Sequence, residues 1–316
     1  MREESIHICR YVLKSRSALN AKSGRREFEG ALIRVGGGFG CLHPWPELGD
    51  LDLETLLREL KHGDAQNPLT KRALSMAALD GQFREMGRSV FKDREVPLNH
   101  ATIAQFRLEE VEEAVRGGYW VLKIKGHSDY AAIANRLDEL SRRWPALRWR
   151  IDFNGVLSKS DVLRFVQCLT DHVWKRIDFL EDPCPYSRED WEDIRHITSL
   201  DLALDDPGDV ASPAAQVLVL KPARQELSRF AEGRERLVVT SSMDHPLGQC
   251  FAAVQAATLS TLTGRVDSCG LQTHGLFEPD GFSERFGCAG PRFQPPGGTG
   301  LGFDDLLEKL PWKRLK

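Results

Sequence analysis

The sequence of 316 residues lacks several features that would assign it to a common class of protein. It has no Cys-x-x-Cys pair, so its seven cysteines do not predict a zinc site or a disulfide framework. We interpret them as buried thiols in a reducing compartment. No run approaches the roughly 18 apolar residues of a membrane span, and the acidic start lacks the basic and apolar parts of a signal peptide. We therefore expect a cytoplasmic protein without a membrane partner.

A surplus of basic residues is also missing. The 43 Lys+Arg residues are matched by 46 Asp+Glu residues, which gives a net charge of −3. Proteins that bind nucleic acids or anionic membranes need a clustered excess of positive charge, so neither partner is expected. The hydrophobic content of 41% excludes a disordered chain.

The first part of the sequence predicts an α+β domain. Residues 27–42 predict a hairpin that turns at Gly36-Gly37-Gly38, because two apolar runs flank the three glycines. Leucines at helical spacing then predict one helix around 53–60 and a second around 74–83. Antiparallel strands followed by helices are typical of α+β domains.

From about Val96 the sequence alternates between short apolar strands and amphipathic helices. The predicted strands are 121–125, 149–153, 177–181, 200–205, 217–221 and 237–241, with weaker first and last members at 96–98 and 266–271. Such alternation implies a parallel sheet. No Gly-x-Gly-x-x-Gly follows the first strand, so we favour a closed barrel over 96–286 rather than an open nucleotide-binding sheet. The glycine-rich segment 295–302 is interpreted as a return to the first domain rather than a phosphate loop.

Charged residues stand at the ends of five successive predicted strands. They are Lys125, Asp152, Glu181, Asp205 and Lys221. Each one alone could be an ordinary turn or surface residue. In a parallel barrel, however, all of these strand ends meet at one mouth, so their order predicts a single site.

The chemistry of such a mouth is specific. Three converging carboxylates repel one another and need a hard cation, and a ligand set of oxygens alone favours Mg²⁺ or Mn²⁺ over zinc. Lys123 and Lys125 share one face of their strand, and Lys221 lies on the other flank. Mutual repulsion and the cation should lower the pKa of a lysine enough for it to act as a base. This arrangement suits removal of the proton beside the carboxylate of a small molecule, with no organic cofactor.

These motifs resemble a known family. The segments Lys123-Ile124-Lys125, Asp152-Phe153-Asn154, Glu181-Asp182-Pro183, Asp205 and Lys221-Pro222 are similar to those of the enolase superfamily, in the branch with Lys-x-Lys on the second barrel strand and lysine on the sixth. Within it the chain resembles the o-succinylbenzoate synthases of menaquinone biosynthesis. The resemblance implies a (β/α)7β modified TIM barrel over 96–286. It also implies an α+β capping domain built from 1–95 and the tail 287–316, with 40–46 as a loop over the site.

The resemblance also implies roles for individual residues. Asp152, Glu181 and Asp205 would hold Mg²⁺. Lys125 would abstract the α-proton and return it to the departing hydroxyl, Lys221 would stabilise the enediolate, and Lys123 would support the substrate carboxylate. The remaining candidates are Arg150 near the substrate, Asn154 behind the metal ligands, and Ser241 and Ser242 at the succinyl end, where an ordinary helix cap is the alternative. His100, His127 and His274 are either mouth residues or packed side chains.

Other activities share this motif. An N-acylamino acid racemase, a dipeptide epimerase or a cycloisomerase of the same branch would keep the metal ligands and the lysines. Residues 269–273 have no Asp-x-Asp, which argues against the epimerase, and Lys221 argues against the mandelate racemase branch. A barrel that acts only as a binding scaffold is disfavoured because none of the predicted ligands or lysines is missing.

Overall fold

The computed structural model describes residues 5–17, 19, 24–208, 210, 213–286 and 290–316. Its strands are β1 (Ile6–Lys14), β2 (Glu27–Val35), β3 (Gly38–Leu42), β4 (Ala101–Ile103), β5 (Val121–Lys125), β6 (Arg148–Asp152), β7 (Ile177–Glu181), β8 (Leu202–Asp205), β9 (Val217–Leu220), β10 (Arg236–Val239) and β11 (Lys313–Arg314). Its helices are α1 (Leu53–His62), α2 (Pro68–Glu85), α3 (Leu108–Arg116), α4 (Tyr130–Arg143), α5 (Lys159–Cys168), α6 (Asp171–Trp174), α7 (Arg188–Thr198), α8 (Pro246–Thr263), α9 (Gly281–Phe286) and α10 (Asp304–Leu307). The strands form one sheet of four and one of seven.

The four-stranded sheet is antiparallel in the order β11-β1-β2-β3 and carries α1 and α2 on its apolar face. The predicted hairpin is confirmed, since Val35 pairs with Gly38 across the turn. Gly38 is required by packing, because a Cβ there would collide with the carbonyl oxygen of Ala77 in α2. Both predicted helices are present, and Leu56, Leu57 and Leu60 of α1 are buried against the sheet.

Strand β1 is a feature that our sequence analysis missed. Its nine residues all pair with β2, and β11 from the end of the chain pairs with its other edge. The alternating buried residues Ile6 and Ile8 are the pattern that could have revealed it. The pairing of β11 with β1 brings both ends of the described chain into one sheet.

The seven-stranded sheet is parallel, in the order β10-β9-β8-β7-β6-β5-β4. Segment 266–270 closes it, because bridges join Val266 to β10, Gly270 to Thr240 and Cys269 to Asn99. The fold is therefore a barrel with a capping sheet, as predicted. The first strand lies at Ala101–Ile103, so the predicted position 96–98 was wrong. The last predicted strand pairs only through these isolated bridges.

The interior of the barrel is apolar in one layer and ionic in another. Phe179, Ala203, Val217, Val219 and Val238 form an apolar cluster inside the sheet. Helices cover the outer face with a second, larger core.

Within the described part of the chain, no helix combines the length and the apolar character needed to cross a bilayer.

The six cysteines within the described ranges are free thiols. Cys41, Cys184, Cys250 and Cys269 are buried, so the predicted burial is confirmed for those four. Cys168 is exposed, so the interpretation was wrong there, and Cys9 is half-buried. Cys288 lies outside the described residues.

Ion pairs and hydrogen bonds fasten the capping sheet and its helices to the barrel. Arg224, just beyond the end of β9, makes a two-point ion pair with Asp50. Asp50 lies in the segment 43–52 between β3 and α1, which we call the capping loop. Arg72 of α2 donates to the backbone oxygen of Pro222 at 3.0 Å. Both contacts involve the segment that follows Lys221, so the cap contacts the barrel at one edge of its mouth.

We expect the pair between Asp50 and Arg224 to couple the two parts energetically. The side chains are only 10% and 15% exposed, so solvent screens the pair weakly. A double-mutant cycle with Asp50→Asn and Arg224→Gln, measured by urea unfolding, should give a coupling of about 1–3 kcal/mol. The same cycle at the surface pair of Asp138 and Arg142 should give about 0.5 kcal/mol or less. Equal couplings would contradict the assignment.

Candidate active site

A cavity of about 530 Å³ opens at the carboxyl ends of the barrel strands. The capping loop contributes Trp45 and Leu48 to its wall, and Trp45 donates its indole N–H to the backbone oxygen of Ser242 at 2.8 Å. Because the barrel mouth is polar and the cap side is largely apolar, the cavity suits a small molecule with both a charged and an apolar part.

The five charged residues predicted at strand ends, together with Lys123, all line this cavity. They are Lys123, Lys125, Asp152, Glu181, Asp205 and Lys221. Strand register explains why they meet, since Lys125 pairs with Asp152 and Asp152 pairs with Glu181. Side chains alternate along a strand, so Lys123 and Lys125 both turn into the barrel. The structure therefore brings the predicted set together.

The lysines neutralise the carboxylates directly. The Lys123 ammonium lies 2.7 Å from Glu181 Oε1 and 3.1 Å from Asp152 Oδ2. Lys221 forms an ion pair with Asp205. Lys125 differs, because it donates to the neutral Asn154 Oδ1 at 2.8 Å. Lys125 is thus the lysine of the three whose hydrogen-bond partner is a neutral side chain.

The expected lowering of a lysine pKa is not found at Lys123 or Lys221. Burial acts to lower the pKa of Lys123, but the charges of Asp152, Glu181 and Asp205 outweigh it, so this pKa is raised. Burial likewise opposes the charged form of Lys221, and Asp205 reverses the outcome and raises its pKa. The ion pairs with the carboxylates, which the expectation did not count, account for this direction. The lowering expected beside a bound cation stays a prediction.

Two carboxyl groups of the mouth, Glu181 and Asp182, show the opposite balance, in which burial outweighs the neighbouring charges of the lysines. Burial, helped by the charges of Asp152 and Asp205, raises the pKa of Glu181 to about 7 against the opposing charge of Lys123. Burial and the charges of Asp205 and Glu181 raise the pKa of Asp182 to about 8. The lysines therefore do not offset the burial of these two carboxyl groups.

Polar residues with left-handed backbone turn the chain directly after the carboxylate strands. Asn154, Asp182 and Asp206 have φ values of 50°, 40° and 48°. Short Asn and Asp side chains tolerate this conformation better than most residues. Asp182 and Asp206, each of which precedes a proline, are therefore turn residues. The chain changes direction directly after each candidate metal ligand.

The donor set suits a hard divalent cation. Three carboxylates from adjacent strands line the cavity, and Asp205 Oδ1 is buried without a hydrogen-bond partner in the structure. Lys123 lies between two of these carboxylates. Accordingly, no cluster of three or more acidic, His or Cys side chains in the described ranges has metal-ligating spacing.

Ser241 and Ser242 lie at the end of β10, beside the cavity. Ser241 Oγ hydrogen-bonds with Thr273 Oγ1 at 2.7 Å, and Ser242 Oγ is buried without a partner in the structure. The alternative that they cap the following helix is wrong, because His245 Nδ1 accepts the N–H of Leu247 at the start of α8. An orphan hydroxyl is therefore available at this edge of the cavity.

Arg150 does not line the cavity, although it shares a face of β6 with Asp152. It is fully buried in the barrel interior, where it donates to Asp178 Oδ2 at 2.8 Å. This position does not support the predicted substrate contact. His127 is exposed on the outer surface and His274 bonds with Gln249, whereas His100 lines the cavity.

Asp244 is a functional-site neighbour that our sequence analysis did not single out. Its side chain is buried, and Oδ1 has no hydrogen-bond partner in the structure. Burial raises its pKa from 3.8 to about 7. The folded chain then holds a proton that the unfolded chain releases above about pH 4.

We expect this buried carboxyl to make stability fall as the pH rises. The loss runs from about pH 4 to about pH 7 and is complete above that range, since both states are then ionised. Asp244→Asn should raise the melting temperature by several degrees at pH 8, and by less at pH 5. Thermal melts of both proteins across this range test it. A gain that does not change with pH would contradict a titrating carboxyl.

Comparisons with known proteins agree with this geometry. Residues 6–83 match the model of the O-succinylbenzoate synthase N-terminal domain, and residues 107–305 match the Enolase C-terminal domain-like model. An o-succinylbenzoate synthase of Bdellovibrio bacteriovorus is 32% identical over 325 residues, covering 97% of each chain. Among solved structures, the L-Ala-D/L-Glu epimerase of Bacillus subtilis has a TM-score of 0.78 at 18% identity, covering 96% of this chain and 98% of that one. A mandelate racemase/muconate lactonizing protein of Herpetosiphon aurantiacus has a TM-score of 0.76 at 17% identity, covering 95% and 97%.

A capped barrel whose mouth gathers lysines and carboxylates from successive strands defines an enolase-like protein. Proteins of this class generally use a divalent metal ion. Within that class, the chain belongs to the o-succinylbenzoate synthase family.

Proposed function

We propose that this chain catalyses the syn-dehydration of 2-succinyl-6-hydroxy-2,4-cyclohexadiene-1-carboxylate to o-succinylbenzoate, a step of menaquinone biosynthesis. One observation carries the proposal. Three lysines and three carboxylates line one cavity in a chain that is 32% identical to an o-succinylbenzoate synthase over 97% of its length. The lysines supply a base and charge stabilisation, and the carboxylates supply metal ligands.

Lys125 is proposed as the acid and base. Its amine takes the proton from the carbon beside the substrate carboxylate, the bond from the neighbouring carbon to the hydroxyl oxygen breaks, and the same proton leaves with the hydroxyl as water. The neutral partner Asn154, 2.8 Å away, supports this role because its amide oxygen accepts a hydrogen bond from the amine and holds it in the cavity. A single base on one face of the ring accounts for the syn outcome.

Lys123 and Lys221 are proposed to act through their charge. Lys123 forms an ion pair with Glu181 and Lys221 with Asp205, so both are proposed to carry a charge that stabilises negative charge on the substrate rather than to accept a proton. Lys123 would face the substrate carboxylate and Lys221 the enediolate from the opposite flank.

Asp152, Glu181 and Asp205 are the proposed ligands of the metal, which we take to be Mg²⁺, with Mn²⁺ as the substitute. When bound, the ion supplies positive charge that favours the enediolate form of the substrate. Asn154 orients Lys125 and donates its amide to Asp152. Ser241 and Ser242 are proposed to receive the succinyl carboxylate, and the orphan hydroxyl of Ser242 supports this.

A turnover assay tests the proposal. Purified chain with millimolar Mg²⁺ should convert the cyclohexadiene substrate to o-succinylbenzoate, followed by the appearance of the aromatic product. Racemisation of an N-succinylamino acid is measured beside it, because Lys125 and Lys221 both reach the cavity from well-separated strands. Racemisation without dehydration would replace the proposed function with that of a racemase.

We also propose domain boundaries, a substrate class and a cellular location for this enzyme. We retain a capping domain of 1–95 with 287–316 and a barrel of 96–286. The substrate is a small carboxylate, and no nucleic acid is proposed as a partner. We also propose a cytoplasmic location, which the free thiols of the described cysteines support.

A further inference from the structure

His100 is a cavity residue that the roles above leave unused. It is 6% exposed and lines the cavity together with Thr102 and Gly270. Its backbone N–H donates to the Cys269 oxygen at 2.8 Å, where segment 266–270 closes the barrel. The side chain therefore stands on a rigid part of the fold, at the floor of the cavity.

Arg150 fixes the tautomer of this histidine. Arg150 Nη1 lies 2.9 Å from His100 Nδ1. A guanidinium can only donate, so Nδ1 must accept, and the single proton of the neutral ring is on Nε2. Arg150 is itself held by Asp178 at 2.8 Å and by the backbone oxygen of Ser268 at 2.6 Å.

The ring stays neutral under ordinary conditions. Burial, together with the positive charges of Arg150 and Lys123, holds the pKa of His100 well below its usual range. His100 is therefore unsuited to exchange protons with a substrate. A neutral imidazole that cannot become charged remains a donor at Nε2, and the adjoining guanidinium polarises it.

The Nε2 edge of the ring faces a glycine on the cavity wall. A Cβ at Gly270 would lie 2.9 Å from His100 Nε2 and 3.0 Å from Cε1. The backbone of Gly270 is not in the left-handed region, so its conformation does not explain the glycine. Space beside the imidazole explains it, because any side chain there would crowd the donor.

We propose that His100 is a substrate-binding residue that donates its Nε2–H to an oxygen of the carboxylate faced by Lys123, with Arg150 as the positioning residue that sets its tautomer. This inference rests on the proposed function. It gives Arg150 an indirect role in place of the predicted contact. His100 would be a neutral hydrogen-bond donor to this carboxylate, whereas Lys123 is a charged one.

Two substitutions at His100 separate hydrogen bonding from packing. His100→Phe removes the donor, and we expect kcat/KM to fall about tenfold to a hundredfold, with weaker binding of o-succinylbenzoate to the Mg²⁺-loaded chain. His100→Gln restores a donor at a similar reach and should stay within about threefold of wild type. His127→Phe, at an exposed histidine outside the cavity, is the matched control and should have no effect.

Nitrogen NMR of the wild-type chain reports which ring nitrogen of His100 carries the proton. This test does not depend on whether the His100 variants fold. Histidine-labelled protein should show His100 protonated at Nε2 alone, with the Nε2–H resonance shifting when o-succinylbenzoate binds. A proton at Nδ1, an unshifted resonance with product bound, or wild-type kcat/KM in His100→Phe would overturn the role of His100 alone. Wild-type chain that neither turns over substrate nor binds product would overturn the proposed function as well.

Discussion

Lys125→Ala is expected to lower kcat for dehydration by about a hundredfold to ten-thousandfold, the range for loss of a positioned acid or base. Lys125→Arg should be equally inactive, because a guanidinium keeps the charge but cannot give up a proton at neutral pH. Lys221→Arg should retain more activity, since the proposed role of Lys221 requires only charge. The three variants thus distinguish proton transfer from electrostatic stabilisation.

The measurement is steady-state turnover at saturating Mg²⁺, with thermal stabilisation by Mg²⁺ as the check on metal binding. Lys125 is not ion-paired to a ligand carboxylate, so both Lys125 variants should still bind the metal. Lys159→Ala is the matched control, because Lys159 pairs with Asp190 and Asp193 outside the cavity. Turnover of Lys125→Ala within tenfold of wild type would remove Lys125 from its proposed role.

Removal of the divalent metal is expected to abolish turnover, by at least about a thousandfold, while the chain stays folded. The reason for the second part is the pairing of Lys123 with Asp152 and Glu181 and of Lys221 with Asp205. These ammonium groups offset part of the carboxylate repulsion, so the loss of the ion should not unfold the barrel. Turnover and far-ultraviolet circular dichroism in excess chelator, before and after Mg²⁺ is restored, measure the two effects.

Asp205→Asn supplies the matched variant for this experiment. It removes one proposed ligand charge, so the Mg²⁺-induced rise in melting temperature should shrink and saturate at higher Mg²⁺. Asp201→Asn is the control, because Asp201 pairs with Arg236 away from the cavity lining. Undiminished turnover in chelator would refute a metal-dependent reaction. An unchanged Mg²⁺ response in Asp205→Asn would remove only that ligand.

The residues of the candidate site could be predicted from the sequence because, in a parallel barrel, the last residues of neighbouring strands lie at the same end of the barrel. Once the alternation of strands and helices indicates a barrel, the last residues of β5 to β8 must meet, and Lys125, Asp152, Glu181 and Asp205 occupy those positions. The turn residues that follow these strands mark where each strand ends, so the residues that meet at the mouth can be identified without knowing the hydrogen-bond register.

The remaining features depend on contacts between distant segments. Strand β1 alternates clearly only at Ile6 and Ile8, and its place in the sheet depends on pairing with β2 and with β11 from the end of the chain. The position of Arg150 below the mouth depends on Asp178 of the neighbouring strand, which pattern analysis cannot place. The lysine pKa values depend on distances of about 3 Å to the carboxylates, and no spacing rule supplies these.

The left-handed residues after β6, β7 and β8 bear on how such an enzyme can be diversified. Asn154, Asp182 and Asp206 redirect the chain within one or two residues of each ligand candidate. Loop length and composition beyond those points can therefore vary without moving the carboxylates. Libraries that insert or exchange residues after Asn154, Pro183 and Pro207 should yield active variants with altered substrate range far more often than libraries that replace the three turn residues with β-branched ones.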